Sequence, residues 1–343
     1  MFRHEARSPL MQFMELSSAF WISQALNVAA RLGVADHIQG GTCTVQELAA
    51  ATQSNEAYLY RLLRSLASVG VFSETEPQRF ALTPVGEFLR SDIERSLRYV
   101  PIMHGDDWHW NGINAMYDVV KTGRPASQIL RGVDSYWHFL SENPEYHKHF
   151  NQGMLGVAMN YHTPFVEKYD FSGVEQIIDI AGGEGTLIRT ILRANPHLAG
   201  ILFEIPETVP AATQAIEQAG LSERCRVVSG DVFESVPAGG HLYTLSYVLI
   251  DWNDRNCAKV LSNIRRAIHP AGKLLVIDSM INEGDGYTWA KWVDLFELCY
   301  GTGRVRKKSE FEQMYKAAGF RWEQTIEMGT PSVVMELVPE GTG

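Results

Sequence analysis

The chain has 343 residues, of which 45% are hydrophobic and 20% charged, and this length and composition predict two domains with sizeable apolar cores. Its formal net charge is −10 at pH 7, and because no basic run offsets this charge, a nucleic-acid partner is not expected. The four cysteines form no C-x-x-C pair, and neither a signal peptide nor an 18-residue apolar span is present, so we expect a soluble, uncleaved cytoplasmic protein with reduced cysteines and no membrane partner.

The N-terminal part of the chain has a helical pattern that ends in a hairpin. Apolar residues recur at helical spacing over residues 19–32, and Thr44 with Glu47 forms a capping-box pattern at the start of a short helix. A second helix is predicted over residues 58–69, and residues 70–83 have the pattern of two short strands. This order of elements predicts a winged-helix-like domain.

Such a domain, here residues 1–100, either binds DNA or forms an interface. The would-be recognition helix offers only Arg61 and Arg64, whereas reading a duplex requires a broader basic surface. Its helix faces are instead apolar, which favours a homodimer assembled through residues of about 10–100. The apolar residues on these faces are Phe13, Phe20, Trp21, Leu26 and Leu32.

Residues 101–170 form a helical linker that is unusually rich in aromatic residues and histidines. Aromatic walls with few polar groups suit a pocket for a flat, hydrophobic small molecule. His147 and His149 are the tightest histidine pair, but no third ligand follows at a recognisable spacing. We therefore expect a solvated helix face at this pair and no metal site.

The second domain, residues 171–343, begins with an apolar strand that leads into a glycine-rich turn and a helix over residues 186–194. This order is typical of the first unit of an open α/β sheet that binds a nucleotide. A dinucleotide fingerprint G-x-G-x-x-G fails, because counting from Gly183 its third glycine position is Ile188. The bound group is therefore not expected to be a dinucleotide.

Charge narrows the choice of nucleotide. Asp179 and Glu184 place negative charge where a pyrophosphate would lie. S-adenosylmethionine (SAM) carries an ammonium and a sulfonium and no phosphate, so the same acids suit it. Glu204 ends the next apolar run, where an acid can accept hydrogen bonds from ribose hydroxyls. Asp231 ends a third candidate strand and is placed to accept from an adenine amino group. Phe233 offers an apolar wall for the same base.

Five ordered motifs resemble those of the SAM-dependent class II O-methyltransferases, and the resemblance runs from about Phe20 to Val338. They are residues 179–185, 203–206, 230–233, 248–254 and 272–278. The resemblance implies a Rossmann-like SAM methyltransferase domain of α/β class with a winged-helix-like dimerisation domain. It implies SAM contacts at Asp179, Gly182, Gly183, Gly185, Glu204, Asp231, Val232, Phe233, Ser246 and Trp252.

One position departs from the family pattern. A histidine that removes the proton from the acceptor hydroxyl normally precedes Asp251, and here that position is Ile250. Of the two acids that normally steady this histidine, the first maps onto Asp278 and the second onto Val305. If Asp251 lies at a strand end, it points away from Ile250. Most of the usual general-base assembly is therefore missing.

The resulting hypothesis is methylation of a hydroxyl, and less readily of carbon or nitrogen, on an aromatic or polyketide-like metabolite, as in antibiotic biosynthesis. Positioning would lower the barrier, with proton loss to water, His104 or His109. The candidate catalytic residues are Asp251, His104, His109 and Asp278. The sequence also resembles the anthracycline-tailoring branch of the family, which includes a member that binds SAM without transferring its methyl group. One alternative is therefore a SAM-binding hydroxylase, decarboxylase or pericyclase, and another is a winged-helix regulator.

Overall fold

The computed structural model describes residues 8–41, 43–133, 139–140, 142–301 and 303–341. The chain divides into two compact units. The first comprises Met1–Asn111 and Leu140–Val157, and the second comprises Gly112–Phe139 and Ala158–Gly343. The aromatic residues Tyr136 and Trp137 of the middle region lie outside the described residues, as does His138.

The N-terminal unit is mainly helical and contains a small antiparallel sheet. Its sheet has the strand order β1-β3-β2. The strands are β1 (Cys43–Thr44), β2 (Phe72–Glu76) and β3 (Arg79–Leu82), and a 3-10 turn spans Gly86–Leu89. The helices are α1 (Pro9–Ser17), α2 (Ala19–Leu32), α3 (Val34–Ile38), α4 (Val45–Thr52), α5 (Glu56–Ser68) and α6 (Tyr99–His104).

The helix starts expected from the sequence are confirmed. The backbone N–H of Thr44 donates to the Glu47 carboxylate at 2.7 Å, and the Glu47 N–H donates to the Thr44 hydroxyl at 3.2 Å. Asn55 caps α5 by accepting from the backbone N–H of Tyr58 at 3.2 Å. These bonds satisfy N–H groups that the first helical turn leaves without an intrahelical partner.

Within the described residues, four further helices follow in chain order, and two of them contribute residues to both units. They are α7 (Asp107–Asn114), α8 (Met116–Thr122), α9 (Ala126–Arg131) and α10 (Pro144–Lys168). No helix within the described ranges is long and apolar enough to span a membrane.

The second unit is built on a twisted α/β sheet. Its main strands follow the order β10-β11-β8-β7-β4-β5-β6, and β9 pairs with β8. The strands are β4 (Gln176–Ile180), β5 (Ala199–Glu204), β6 (Cys225–Ser229), β7 (Leu242–Ser246), β8 (Lys273–Ile281), β9 (Arg306–Lys307), β10 (Phe320–Glu327) and β11 (Ser332–Pro339). The helices are α11 (Thr186–Ala194), α12 (Val209–Gln218), α13 (Asp254–Ala267), α14 (Trp289–Tyr300) and α15 (Lys308–Ala317), and a 3-10 turn spans Leu249–Asp251.

The strand directions place the predicted motifs at one edge of this sheet. Strands β4 to β8 pair in parallel, whereas β11 is antiparallel to β8 and β10. Strand order reverses between β4 and β7, which makes this edge a topological switch point, where open α/β sheets bind ligands. The α/β architecture expected from the sequence is therefore confirmed.

Close packing of α11 against the sheet fixes the first βα unit. The apolar face of α11, with Leu187, Ile188 and Ile191, is fully buried. A side chain at Gly200 on β5 would place its Cβ 2.7 Å from the Ile188 Cδ1 atom, so glycine is what allows the helix to approach. The result is a rigid platform below the glycine-rich loop.

Candidate active site

The glycine-rich loop leaves β4 with an unusual backbone. Ala181 has a φ of 53° and Gly183 a φ of 61°, and the first of these is in a region that costs free energy for any residue with a Cβ. A Cβ added to Gly182 would lie 2.3 Å from the Asp179 Oδ2 atom, whereas one added to Gly183 would meet nothing within 4 Å. Gly182 thus packs on Asp179 beneath the loop, and the Gly183 backbone faces open space.

Glu204 closes this loop from the end of β5. Its Oε1 accepts from the backbone N–H of Gly183 at 2.7 Å, and its Oε2 accepts from that of Ile205 at 2.8 Å. Burial raises the pKa of Glu204, and the two amide hydrogen bonds partly oppose this rise. Since each carboxylate oxygen has two lone pairs, one on each remains to accept from a ligand hydroxyl.

Asp179 lies behind the loop and is 0% exposed. The Thr244 hydroxyl donates to its Oδ1 at 2.6 Å, while its Oδ2 has no hydrogen-bond partner among the described residues. Burial raises the pKa of Asp179 to about 7, and the nearby Glu204 adds to this rise. The position of Asp179 is that of a residue supporting the glycine loop.

The loop after β6 builds an aromatic corner. Asp231 is exposed, and its Oδ1 accepts from the Phe233 backbone N–H at 2.8 Å. Asn263 holds the loop by donating to the Val232 carbonyl oxygen at 2.6 Å. The Phe233 and Trp252 rings meet edge to face, with centroids 4.9 Å apart, so together they form two walls at right angles.

Strand β7 ends at Ser246. A histidine that was not among the predicted site residues, His162, lies against this serine. The His162 Nε2 atom lies 2.9 Å from the Ser246 hydroxyl oxygen, and its Nδ1 has no partner among the described residues. Burial lowers the pKa of His162 to about 4. The next residue, Tyr247, has a φ of 56°, and its ring stacks on Tyr161 at 6.0 Å. Nothing in the spacing of residues 158–168 marks His162, since only the fold brings α10 to β7.

These residues fit SAM in their chemistry. Glu204 offers two acceptor oxygens, as a ribose diol requires, and the Phe233–Trp252 corner offers apolar walls for a base. The exposed Asp231 carboxylate accepts hydrogen bonds, as an amino group requires. The open Gly183 backbone allows close approach of a ligand. A positively charged ligand is favoured beside these acids.

The region around Ile250 is apolar and tightly closed. Ile250, Ala290 and Val305 form one buried cluster. The Arg304 backbone N–H donates to the Ile250 carbonyl oxygen at 2.8 Å, and a Cβ at Gly303 would lie 2.1 Å from that oxygen. Ile250 and Asp251 belong to a 3-10 turn, so the expectation that a strand end sends their side chains to opposite sides was wrong. The turn puts no titratable side chain at position 250.

Three carboxyl groups lie near this cluster. Burial raises the pKa values of Asp278 and Glu297 to about 7. Burial raises the pKa of Asp251 well above its usual range, and the like charges of Glu297 and Asp278 add to the rise. The Ser279 backbone N–H donates to Asp278 Oδ1 at 2.7 Å, whereas Oδ2 has no partner among the described residues. The sequence identified Asp251 and Asp278 but missed Glu297.

A buried guanidinium braces the same turn. Arg306 is 0% exposed, and it donates to the carbonyl oxygens of Leu249 at 2.8 Å and Trp252 at 2.7 Å. Its Nε donates to the Asp254 carboxylate at 2.9 Å. Its positive charge also opposes the rise of the Asp278 pKa. Arg306 therefore fixes the 3-10 turn and partly offsets the charge of the acids.

His104 and His109 belong to the N-terminal unit, unlike Asp251 and Asp278. Their ring centroids are 5.8 Å apart. Burial lowers the pKa of both, in His109 to about 3 with a further contribution from His104. A base with such a low pKa has little driving force to take a proton at neutral pH. Their proposed part in proton removal stays a prediction.

The histidine pair of the middle region does not share one environment. His147 is exposed, whereas the His149 Nδ1 lies 2.9 Å from the carboxylate of Asp106, which also accepts from Arg31 at 2.7 Å. Among the described residues, no group of three or more His, Cys, Asp or Glu side chains is arranged to hold a metal ion. The solvated face expected for both histidines is thus found for His147 alone.

Comparison with known proteins gives two domain matches. Residues 114–321 match the O-methyltransferase domain, and residues 14–92 match the O-methyltransferase dimerisation domain. A phenazine O-methyltransferase of Lysobacter antibioticus is 36% identical over 326 residues, which is 95% of each chain.

Two further proteins bear on the site. The aclacinomycin 10-hydroxylase of Streptomyces purpurascens is 33% identical, with 86% of this chain and 80% of the hydroxylase aligned. The crystal structure of CalO1, a methyltransferase of calicheamicin biosynthesis in its SAH-bound form, superposes with a TM-score of 0.87. That comparison has 30% identity and covers 98% of this chain and 100% of CalO1.

Proposed function

Because the chain belongs to the SAM-dependent class II O-methyltransferase family, we propose that it methylates a hydroxyl group of an aromatic or polyketide-like small molecule. The observation that carries this proposal is the set of acceptors and aromatic walls at the carboxyl ends of β4, β5 and β6. The relatives that act on phenazine and other aromatic metabolites support the substrate class.

The nucleotide half of the site is assigned residue by residue. Glu204 would accept from the ribose hydroxyls, Asp231 from the adenine amino group, and Phe233 with Trp252 would enclose the adenine ring. Gly182, Gly183 and Gly185 keep the loop backbone free of side chains, and Asp179 holds it from below. Val232 shapes the same loop, and Ser246, fixed by His162, ends β7 beside it. When bound, SAM supplies a methyl group on a positively charged sulfur.

Catalysis is proposed to depend mainly on positioning. Ile250 stands where the family has its histidine base, and isoleucine cannot accept a proton. Holding two reactants at near-attack distance supplies about 7–11 kcal/mol of barrier lowering, whereas a general base adds about 10²–10⁴-fold in rate. A phenol or another acidic hydroxyl therefore suits this site better than an aliphatic alcohol.

The dimerisation-domain match supports a homodimer. In the N-terminal unit, Phe13 and Trp21 are each 66% exposed and Phe20 is 51% exposed. Apolar faces of this kind on α1 and α2 are typical of an obligate interface. Light scattering at low micromolar concentration should give twice the chain mass, and a clean monomer would contradict this assignment.

Incubation with methyl-labelled SAM and a panel of phenols, hydroxyphenazines and hydroxyquinones tests the proposed function. We expect mass spectrometry to find labelled methyl ethers, because the acceptor oxygen is the nucleophile. Labelled carbon- or nitrogen-methyl products would correct the atom assigned here. A panel without any labelled product, despite SAM binding, would contradict methyl transfer.

One relative favours a second function. The aclacinomycin hydroxylase is 33% identical over most of both chains, and Ile250 removes the base that methyl transfer normally uses. In that function the chain would hold SAM as a fixed positive charge that stabilises developing negative charge in a hydroxylation, decarboxylation or pericyclic step. Products that are altered in the presence of SAM but unlabelled would favour it.

A gel shift with genomic DNA fragments tests the alternative of a winged-helix regulator, for which we expect no binding.

A further inference from the structure

Helix α14 is fixed against the position of the missing histidine. The Asp294 carboxylate accepts from the Val305 backbone N–H at 2.9 Å. Ala290 and Val293, on the same helix, pack in the cluster that contains Ile250 and Val305. One face of α14 is therefore in direct contact with the turn around position 250.

Glu297 continues this face. Residues three, four and seven positions apart lie on one side of a helix, so Ala290, Val293, Asp294 and Glu297 form a single stripe. Glu297 is one turn beyond Asp294 and close enough to Asp251 and Asp278 for their charges to interact. The helix thus brings a carboxyl group to the neighbourhood that the family fills with an imidazole.

Exposure separates Asp278 from the other two acids. Asp278 is 1% exposed, so a ligand cannot reach it without a rearrangement. Asp251 and Glu297 are intermediate in exposure, although protein surrounds both carboxyl groups closely enough to raise their pKa values. Of these two, the glutamate has the longer side chain and stands on a rigid helix, while Asp251 ends a short 3-10 turn. Glu297 is the better placed of the two to meet a substrate.

We propose that the Glu297 carboxylate accepts the proton of the acceptor hydroxyl. This inference rests on the proposed O-methylation. In the step, the acceptor O–H bond breaks and its proton moves to Glu297. The oxygen's electron pair forms the bond to the methyl carbon as the carbon–sulfur bond breaks, leaving a neutral thioether and a protonated carboxyl group.

The charges around Glu297 suit this role. Asp278 on β8 and Asp294 on α14 both oppose a negative charge on Glu297, and Arg306 on β9 moderates Asp278. Glu297 in turn raises the pKa of Asp251 on the turn. Glu297 also lies in the last turn of α14, where the helix dipole disfavours a carboxylate. Burial and these neighbours raise the pKa of Glu297 to about 7, which is where a general base works best.

Glu297→Gln is the direct test, with Glu283→Gln, in an exposed loop, as the matched control. We expect Glu297→Gln to lower kcat by about 10²–10⁴-fold and to abolish the rise of kcat with pH near 7. The SAM affinity measured by calorimetry should stay within about twofold. A variant that keeps both kcat and the pH dependence would overturn the proposal.

A series of phenols of graded acidity distinguishes a base from a structural residue. Without a base, the rate depends more steeply on acceptor acidity, so the defect of Glu297→Gln should shrink as the phenol becomes more acidic. A loss of packing would instead lower turnover equally for all acceptors. An equal loss across the series would overturn the proposal.

Infrared titration of protein with ¹³C-labelled glutamate, without substrate, gives a measurement independent of turnover. We expect one glutamate carboxyl to titrate near pH 7, to disappear in Glu297→Gln and to titrate at lower pH in Asp278→Asn, because Asp278 is the neighbouring charge that raises the Glu297 pKa most. If Glu297→Gln fails to fold, the wild-type band and its shift in Asp278→Asn still decide. A wild-type spectrum without such a band would overturn the proposal.

The outcomes also separate this inference from the function on which it rests. Wild-type methylation that Glu297→Gln leaves unchanged would overturn the role of Glu297 alone. Wild-type protein that binds SAM but methylates no acceptor would overturn both.

Discussion

The two halves of the site on the α/β unit differ in how they are built. In the nucleotide half, short loops at strand ends hold Gly183, Glu204 and Phe233 through backbone hydrogen bonds and ring packing. In the acceptor half, a buried cluster around Ile250 lies beside coupled carboxyl groups from three separate elements. Local motifs therefore define the first half, and tertiary packing defines the second.

The acceptor half shows which side chains surround position 250 when the family's histidine is absent. Replacing an imidazole by isoleucine removes a base and adds apolar volume, and here Val305, Ala290 and Val293 complete an apolar surface around it. The charged groups have not disappeared from the region, since Asp251, Asp278 and Glu297 remain close by. Under the proposal made for Glu297, the acceptor half is a different acid–base arrangement on the same scaffold.

The largest expected effect is on the nucleotide half. Glu204→Ala would remove two charge-assisted hydrogen bonds, each worth about 1.5–3 kcal/mol, so calorimetry should show SAM affinity reduced by at least about tenfold, and by about 10²–10⁴-fold if both are lost in full. Glu207→Ala, at an exposed position three residues later, is the control. Unchanged SAM affinity in Glu204→Ala would remove this residue from the site.

The same titration with NAD tests the charge argument. Asp179 and Glu184 disfavour a pyrophosphate, although Arg189 keeps a positive charge at the loop by donating to the Gly185 carbonyl oxygen at 3.2 Å. We expect no measurable NAD binding to the wild-type protein. Measurable affinity would show that Arg189 outweighs the acids.

Placing the family's histidine at position 250 should not restore a general base. Ile250 is 4% exposed in an apolar cluster, and Val305 stands where the family has a second supporting acid. Ile250→His buries a polar ring beside only one of its two usual partners, Asp278, so we expect a loss of about 1–3 kcal/mol in the free energy of unfolding and no gain in kcat. Ile250→Leu, which keeps the apolar volume, is the control. A rate gain of about tenfold or more would show that the site still accommodates the usual base.

The coupled acids should make stability depend on pH. Because the pKa of Glu297 is raised from 4.5 to about 7 in the folded state, the native protein holds this proton more tightly than the unfolded chain. Stability from this group is present below the unfolded pKa and is lost as pH rises towards 7. Urea unfolding between pH 5 and pH 8 should show wild-type protein losing about 1–3 kcal/mol more than Glu297→Gln. Parallel pH curves would contradict the shift.

The smallest expected effect is at the histidines of the N-terminal unit. Since burial lowers the pKa of His109 to about 3 and also lowers that of His104, His104→Ala and His109→Ala, made separately, should each change kcat by less than about threefold once folding is confirmed by thermal denaturation. A loss of about 10²-fold or more with intact SAM binding would assign the proton to that histidine.

Local sequence patterns predicted the fold class and many of the helices and strands. The capping box at Thr44, the helix over residues 186–194 and the strand end at Glu204 follow from local patterns, because capping, periodicity and burial act over a few residues. The strand end predicted at Asp231 was wrong, since β6 ends two residues earlier, at Ser229. The replacement at Ile250 was equally visible, since it lies within an ordered motif.

Other contacts of the site depend on long-range packing in the folded chain. His162 meets Ser246 because α10 packs beside β7. The charge of Glu297 acts on Asp251, and the bond from the Val305 backbone to Asp294 holds α14 near this turn. Neither pairing has a sequence spacing that marks it, since residues 84 and 46 positions apart are brought together by long-range packing. The pKa of a carboxyl group likewise depends on the burial and the charges that surround it in the folded chain. The sequence shows which residues are acids, but the charge interactions among these acids arise only in the folded chain.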